Sequence, residues 1–144
     1  MRRRGLLAIG LIVTMYAGLT AQANGQVKPG GEPYAKCAKA CADCKALCDA
    51  CVKHCQSMVS AGMKEHAKSL ALSRDAADVC NAAARIVSRK GPLSKPICEA
   101  CLKACEACGS ECRKYPTMKP MKDCADSCAR CTAACRDMLS HVKG

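Results

Sequence analysis

Residues 41–55 read CADCKALCDACVKHC, a thiol at every third or fourth position, and Cys37 lengthens the series. The first run is thus Cys37, Cys41, Cys44, Cys48, Cys51 and Cys55. Residues 98–112, CEACLKACEACGSEC, repeat the spacing with Cys98, Cys101, Cys105, Cys108 and Cys112. A shorter version, CADSCARCTAAC at 124–135, carries Cys124, Cys128, Cys131 and Cys135, and Cys80 stands alone. Sulfur at this density can act as apolar filler, as a disulfide framework or as a set of soft-metal ligands. Buried free cysteine behaves as a small hydrophobe. That accounts for Cys80 taken alone, but not for long series with almost no Leu among them. Disulfides want Cβ atoms about 3.8 Å apart, whereas i,i+3 and i,i+4 neighbours on a helix stand about 5–6 Å apart at Cβ. That wider separation suits an ion held between two sulfurs, each roughly 2.3 Å from it.

The spacing also says what must position these thiols. Steps of three and four average about 3.5 residues, close to the ~3.6 of one helical turn, so each run forms a narrow stripe along one helix. In a helix bundle such a stripe faces the common axis. Four helices are predicted. The first spans about Pro33 to Ala61, with Pro tolerated in its first turn and Gly62 as C-cap. The second spans about Met63 to Arg89 and ends at Gly91-Pro92. The third starts near Ser94, as N-cap, and stops before Tyr115-Pro116. The fourth spans about Thr117 to Val142, with Pro120 in its first turn. Short connections make neighbours antiparallel. The expected fold is therefore all-α, an up-down-up-down four-helix bundle over residues 33–144 with a cysteine-lined core. The second helix contributes Cys80, with Leu70, Ser73, Ala77, Ala84 and Val87 at compatible spacings.

Zinc favours four ligands in a closed tetrahedron, in sites made of discrete cysteine pairs. Iron–sulfur clusters draw their cysteines mostly from loops. Copper(I) prefers thiolate and thioether and accepts two or three of them, which many adjacent sites along a continuous sulfur stripe can supply. The spacing itself specifies soft metal rather than copper alone. Methionine continues the stripes: Met58 follows Cys55 by three residues, Met121 precedes Cys124 by three, and Met138 follows Cys135 by three. Antiparallel packing gathers His54, Met58, Met63, His66, Met118 and Met121 at one end, beside Cys55, Cys112 and Cys124. The opposite end has Met138 and His141. The first end is the expected site of ion uptake and release, with His54, Met58, Met63 and Met121 joining the sixteen cysteines as ligands.

Composition narrows the function further. The chain has 144 residues, sixteen Cys, three Tyr, no Phe and no Trp. Aromatic side chains supply much of an ordinary core, so here the thiols must fill the interior. Arg2, Arg3 and Arg4, the apolar stretch Leu6–Leu19 and the small-x-small site Ala21-Gln22-Ala23 read as an export signal over residues 1–23. Residues 24–32, NGQVKPGGE, read as a flexible linker. Removal of the signal lowers the net charge from +11 to +8. The basic residues are spread out, with no stacking aromatics and no recognition motif, so nucleic acid is not an expected partner. Neither is a membrane once the signal is removed. No Ser/His/Asp set, paired-carboxylate signature or phosphate loop points to an enzyme.

The cysteine stripes in three helices, the sparse second helix and the stretch His54-Cys55-Gln56-Ser57-Met58 followed by Met63 resemble the copper storage proteins, over roughly residues 33–142. The resemblance implies storage and buffering of multiple copper(I) ions inside a four-helix bundle, exchanged with copper donor or acceptor proteins. Exported members carry twin-arginine signals, which Arg3-Arg4 fits, and this implies a periplasmic location. In those members His and Met lie at the open end, which supports His54, Met58 and Met63 as uptake residues. Two other readings stay open: a disulfide-stabilised exported interaction protein, and a zinc-buffering protein of metallothionein type. A homo-oligomer is compatible with the sequence.

Overall fold

The computed structural model describes residues 31–142. The export signal and most of the linker read from the sequence lie outside the described residues. Four helices follow in order: α1 (Glu32–Ser60), α2 (Ala67–Ser88), α3 (Ser94–Cys112) and α4 (Lys119–His141). There is no strand among the described residues. Helices adjacent in the chain pack on each other, α1 also packs on α4, and the backbones of the diagonal pairs stay apart. Cys37 and Cys98, near the starts of α1 and α3, meet Cys135 near the end of α4. So α1 and α3 run one way and α4 the other, as the short connections require. No described helix is long and apolar enough to cross a membrane.

The helix ends follow local chemistry. Gly62 has φ +93°, a left-handed conformation that glycine adopts without Cβ strain. With it, the Met63 N–H reaches the Met58 carbonyl at 3.0 Å and closes the end of α1. The expected second helix from Met63 is corrected here. Met63 is not helical, Lys64–His66 form a single 3₁₀ turn, and the α-helix starts only at Ala67. A chain reversing direction through Gly62 needs those residues to swing α2 back along α1. At the far end Lys90 is left-handed, and the Gly91 N–H bonds the Ile86 carbonyl across the last turn of α2. Leu93 rather than Ser94 caps α3; Ser94 is its first residue and donates its hydroxyl to the Gly91 carbonyl at 2.6 Å.

All sixteen cysteines are buried. Met121, Met138, Val87, Ala76, Ala77, Ala83 and Ala125 complete the apolar core, while Leu70, Leu72, Leu102, Leu139 and Ile97 pack only around its edge. The inner stripe of α2 differs from the sequence reading. Ser73, Ala77, Cys80 and Val87 are buried as expected, but Ser69, Ala76 and Ala83 are buried with them, while Leu70 and Ala84 are only partly buried. Both registers step by three and four through Cys80. The observed one places the smaller side chains against the sulfurs. Gly109 works similarly on α3: a Cβ there would stand 3.1 Å from the Cys128 Cβ, so its absence lets α4 approach. Lysine–carboxylate pairs such as Lys45–Asp49 and Lys122–Asp126 lie along the outward faces, where water screens them and they add little to stability.

Candidate metal centre

The regular spacing within each helix becomes a set of close sulfur contacts between helices. Cys37 Sγ lies 3.5 Å from Cys98 Sγ and 3.6 Å from Cys135 Sγ. Cys41 is 3.9 Å from Cys101, 3.8 Å from Cys135 and 3.7 Å from Cys131. Cys80 reaches Cys101 at 3.6 Å and Cys105 at 3.5 Å. Further along, Cys48 is 3.7 Å and Cys108 3.6 Å from Cys124, and Cys51 is 3.8 Å from Cys112. Three sulfurs at ~2.3 Å from a central ion stand roughly 4 Å apart, and four stand roughly 3.8 Å apart. The protein therefore holds its thiols close to the separations that a bound soft ion would impose.

Five groups of buried sulfurs lie with all members within 4.8 Å of one another. They are Cys37–Cys98–Cys135, Cys41–Cys101–Cys131–Cys135, Cys44–Cys80–Cys105–Cys131, Cys48–Cys108–Cys124–Cys128 and Cys51–Cys112–Cys124. Each draws on α1, α3 and α4, and one also on α2. Cys131 and Cys135 link three of the groups and Cys124 links the other two; the two sets meet where Cys44 Sγ lies 3.8 Å from Cys128 Sγ and 3.9 Å from Cys48 Sγ, so the sulfurs run as a ladder along the axis. A disulfide uses its sulfur once; here one sulfur faces three or four partners.

The thiols share protons unevenly. The hydrogen bond to Cys101, then that to Cys105, holds the Cys80 thiol above its ordinary range, and burial adds to the rise. Hydrogen bonds from Cys105, then Cys131, pull Cys101 below it, against burial. Cys44 and Cys108 are likewise pulled down, by contacts led by Cys105 and Cys112 respectively. Metal binding needs thiolates, so loading this core releases protons.

At the end formed by the C-termini of α1 and α3, the ladder passes from thiol to thioether. Cys51 and Cys55 both donate to Met121 Sδ at 3.4 Å, and Met121 is fully buried. Of the sequence-derived ligands, Met121 is thus joined directly to the sulfur ladder, and Cys55 joins through Met121 and through Cys51 at 3.8 Å. Met58 and Met63 are partly buried at the same end, bridged by their backbone hydrogen bond. His54 is partly buried with its Nε2 enclosed and without a partner. Its ring stands 6.2 Å from that of His66, whose Nδ1 is also buried and unpartnered. Tyr115 covers the His66 ring at 4.4 Å and donates its hydroxyl to the Glu65 carbonyl. Glu111, beside Cys112, pairs with Lys114 and with Lys68 of α2, tying this end together. At the opposite end Met138 is buried and His141 exposed.

Two residues of this region lay outside the sequence-derived ligand set. His66 is 1% exposed. Ser73, fully buried, places its hydroxyl 3.3 Å from Cys51 Sγ and 3.6 Å from Cys108 Sγ. Both stand whole heptads before Cys80, Ser73 by seven residues on α2 and His66 by fourteen in the 3₁₀ turn that precedes it.

The sequence model of the copper storage proteins matches residues 31–140, the whole cysteine ladder. The chain belongs to the copper storage protein family. It is 34% identical over 111 residues to the uncharacterized cysteine-rich protein YhjQ of Bacillus subtilis, covering 76% of this chain and 99% of that one. Among solved structures it is similar to a cytosolic copper storage protein from Streptomyces lividans loaded with five coppers, with a TM-score of 0.72 at 30% identity, covering 79% of this chain and 98% of that one. The Cu(I)-bound copper storage protein BsCsp3 aligns with a TM-score of 0.62 at 33% identity, over 74% of this chain and 98% of that one. The four-helix bundle of the copper storage family and its cysteine-rich core are therefore those described above.

Proposed function

We propose that this protein stores and buffers several copper(I) ions on the thiolates of its core. The observation that carries this reading is the ladder of five sulfur groups, each with its members within 4.8 Å, linked in two sets by Cys131 with Cys135 and by Cys124, and bridged by the 3.8 Å contact of Cys44 with Cys128. Shared sulfurs and three-membered groups suit an ion content with two or three thiolates. Zinc would need four ligands for each closed site. All sixteen cysteines serve as ligands, and the copper held by the Streptomyces and BsCsp3 relatives supports the choice of ion. Storage, not catalysis, is the role.

His54, Met58, Met63 and Met121 form the end through which ions come and go. Thioether and imidazole hold copper(I) less firmly than thiolate and hand it on more readily. Copper donor or acceptor proteins would engage the bundle at this end. Anaerobic copper(I) loading of the reduced protein in the presence of excess zinc tests both parts. The wild type is expected to take up several copper ions and little zinc by metal analysis. The triple variant Met58→Leu, Met63→Leu, Met121→Leu is expected to reach nearly the same final load several-fold more slowly. Zinc retained in place of copper would overturn the storage reading. Equal rates in the two proteins would overturn the role of this end.

The protein is further read as exported, supported by Arg2–Arg4, the apolar Leu6–Leu19 stretch and Ala21-Gln22-Ala23. The expected result is a periplasmic protein whose N-terminus, by sequencing, is Asn24. An intact Met1 in the cytosolic fraction would reject export.

A further inference from the structure

Most of the sulfur ladder meets only sulfur or carbon, but Ser73 brings a hydroxyl to it. Ser73 lies in the inward stripe of α2, seven residues before Cys80, and is fully buried. Its Oγ donates to Cys51 Sγ at 3.3 Å and lies 3.6 Å from Cys108 Sγ. The hydroxyls of Ser88, Ser94 and Ser140 turn to backbone carbonyls three residues earlier, which is the usual habit of serine in or beside a helix. The Ser73 hydroxyl turns to sulfur. Cys51 and Cys108 belong to different groups, Cys51–Cys112–Cys124 and Cys48–Cys108–Cys124–Cys128, so Ser73 stands at the junction of the last two rungs before Met121.

A hydroxyl has one proton and two lone pairs. In the metal-free protein Ser73 can give its proton to Cys51 and accept one from the Cys108 thiol. Once ions are bound, both sulfurs are thiolates and neither donates. The single Ser73 proton then goes to one of them, and the shorter contact is to Cys51. Such a bond to a charged sulfur in a dry core is stronger than a neutral one, and a thiolate deprived of it has no water to turn to.

Resting on the copper-storage reading, we propose that Ser73 is a positioning residue of the metal core. Its hydroxyl donates to the Cys51 thiolate and sets how firmly ions are held at the rung nearest Met121. It relieves the cost of burying the thiolate charge that loading creates.

The test is removal of copper(I) from the loaded full-length mature protein by bicinchoninate, a copper(I) chelator, with the thiolate-to-copper absorption followed in parallel. In Ser73→Ala the most labile ions are expected to leave about tenfold faster, the change expected from one lost charge-assisted hydrogen bond. The absorption edge is expected to move to longer wavelength, because a thiolate without its donor gives up charge more easily. Ser73→Thr keeps the hydroxyl and is expected to restore both. Ser73→Ala matching the wild type in rate and absorption overturns the proposal, whatever Ser73→Thr does. A folded Ser73→Thr that behaves like Ser73→Ala overturns it as well, since a packing role would explain both. Failure of the wild type to bind copper(I) at all would instead strike at the storage reading.

Discussion

Copper(I) added anaerobically to the reduced protein is expected to raise its melting temperature by more than about 20 °C. The metal-free bundle has a weak interior. Its buried apolar side chains are cysteine, alanine, one valine and two methionines, with leucine and isoleucine left at the margin, so each buried residue removes little apolar area from water. Ion binding changes this in two ways. Each site filled at about a hundred times its Kd adds roughly 2.7 kcal/mol to the folded state, and there are several sites. Each of the five groups also takes sulfurs from α1, α3 and α4 together. The backbones of the diagonal helices α1 and α3 stay apart and the two helices meet through cysteine thiols, such as Cys37 on Cys98 and Cys41 on Cys101, so an ion in any rung replaces a weak thiol contact with a metal–sulfur tie. Scanning calorimetry against copper equivalents measures the effect. A melting temperature that stays flat through several equivalents would remove copper storage as the function.

Much of the bundle was legible in the sequence, because three helices repeat cysteine along their inward stripes. Cys37 to Cys55, Cys98 to Cys112 and Cys124 to Cys135 each define their helix, its face and its register without ambiguity. α2 was less legible for a physical reason. Its inward residues are serine, alanine and one cysteine, and neither hydrophobicity nor size separates the stripe through Ser69, Ala76 and Ala83 from the one through Leu70 and Ala84. The sulfur core leaves room there only for the smaller side chains. The turn after Gly62 was legible as a helix stop, but the 3₁₀ residues Lys64–His66 that return the chain were not, since nothing in their side chains distinguishes them from a first helical turn. Which sulfurs meet across the axis depends on the relative heights of the helices. Met121 reaching both Cys51 and Cys55, and Ser73 reaching Cys51 and Cys108, are consequences of that height and of no local pattern.

Connectivity gives the second large effect. Cys124, Cys131 and Cys135, all on α4, each belong to two groups, and between them they touch all five. Cys37, Cys80 and Cys98 touch only two groups between them, because Cys37 and Cys98 share one. The triple variants Cys124→Ala, Cys131→Ala, Cys135→Ala and Cys37→Ala, Cys80→Ala, Cys98→Ala therefore lose the same number of thiols but different amounts of the ladder. If ions are held by groups, the first variant is expected to retain less than about half the wild-type copper after desalting, and the second well over half, because a lone thiolate pair grips copper(I) less firmly than a connected set. Metal analysis after anaerobic gel filtration reads the difference, and circular dichroism on the metal-free variants checks that both remain helical. If copper were instead held by thiols acting independently, the two variants would carry equal loads, and that equality would rule out a shared-sulfur ladder as the storage unit. The same comparison bears on direction. The second variant keeps Cys51, Cys55 and Met121, so its remaining ions should still exchange at the wild-type rate through the end where thiol gives way to thioether.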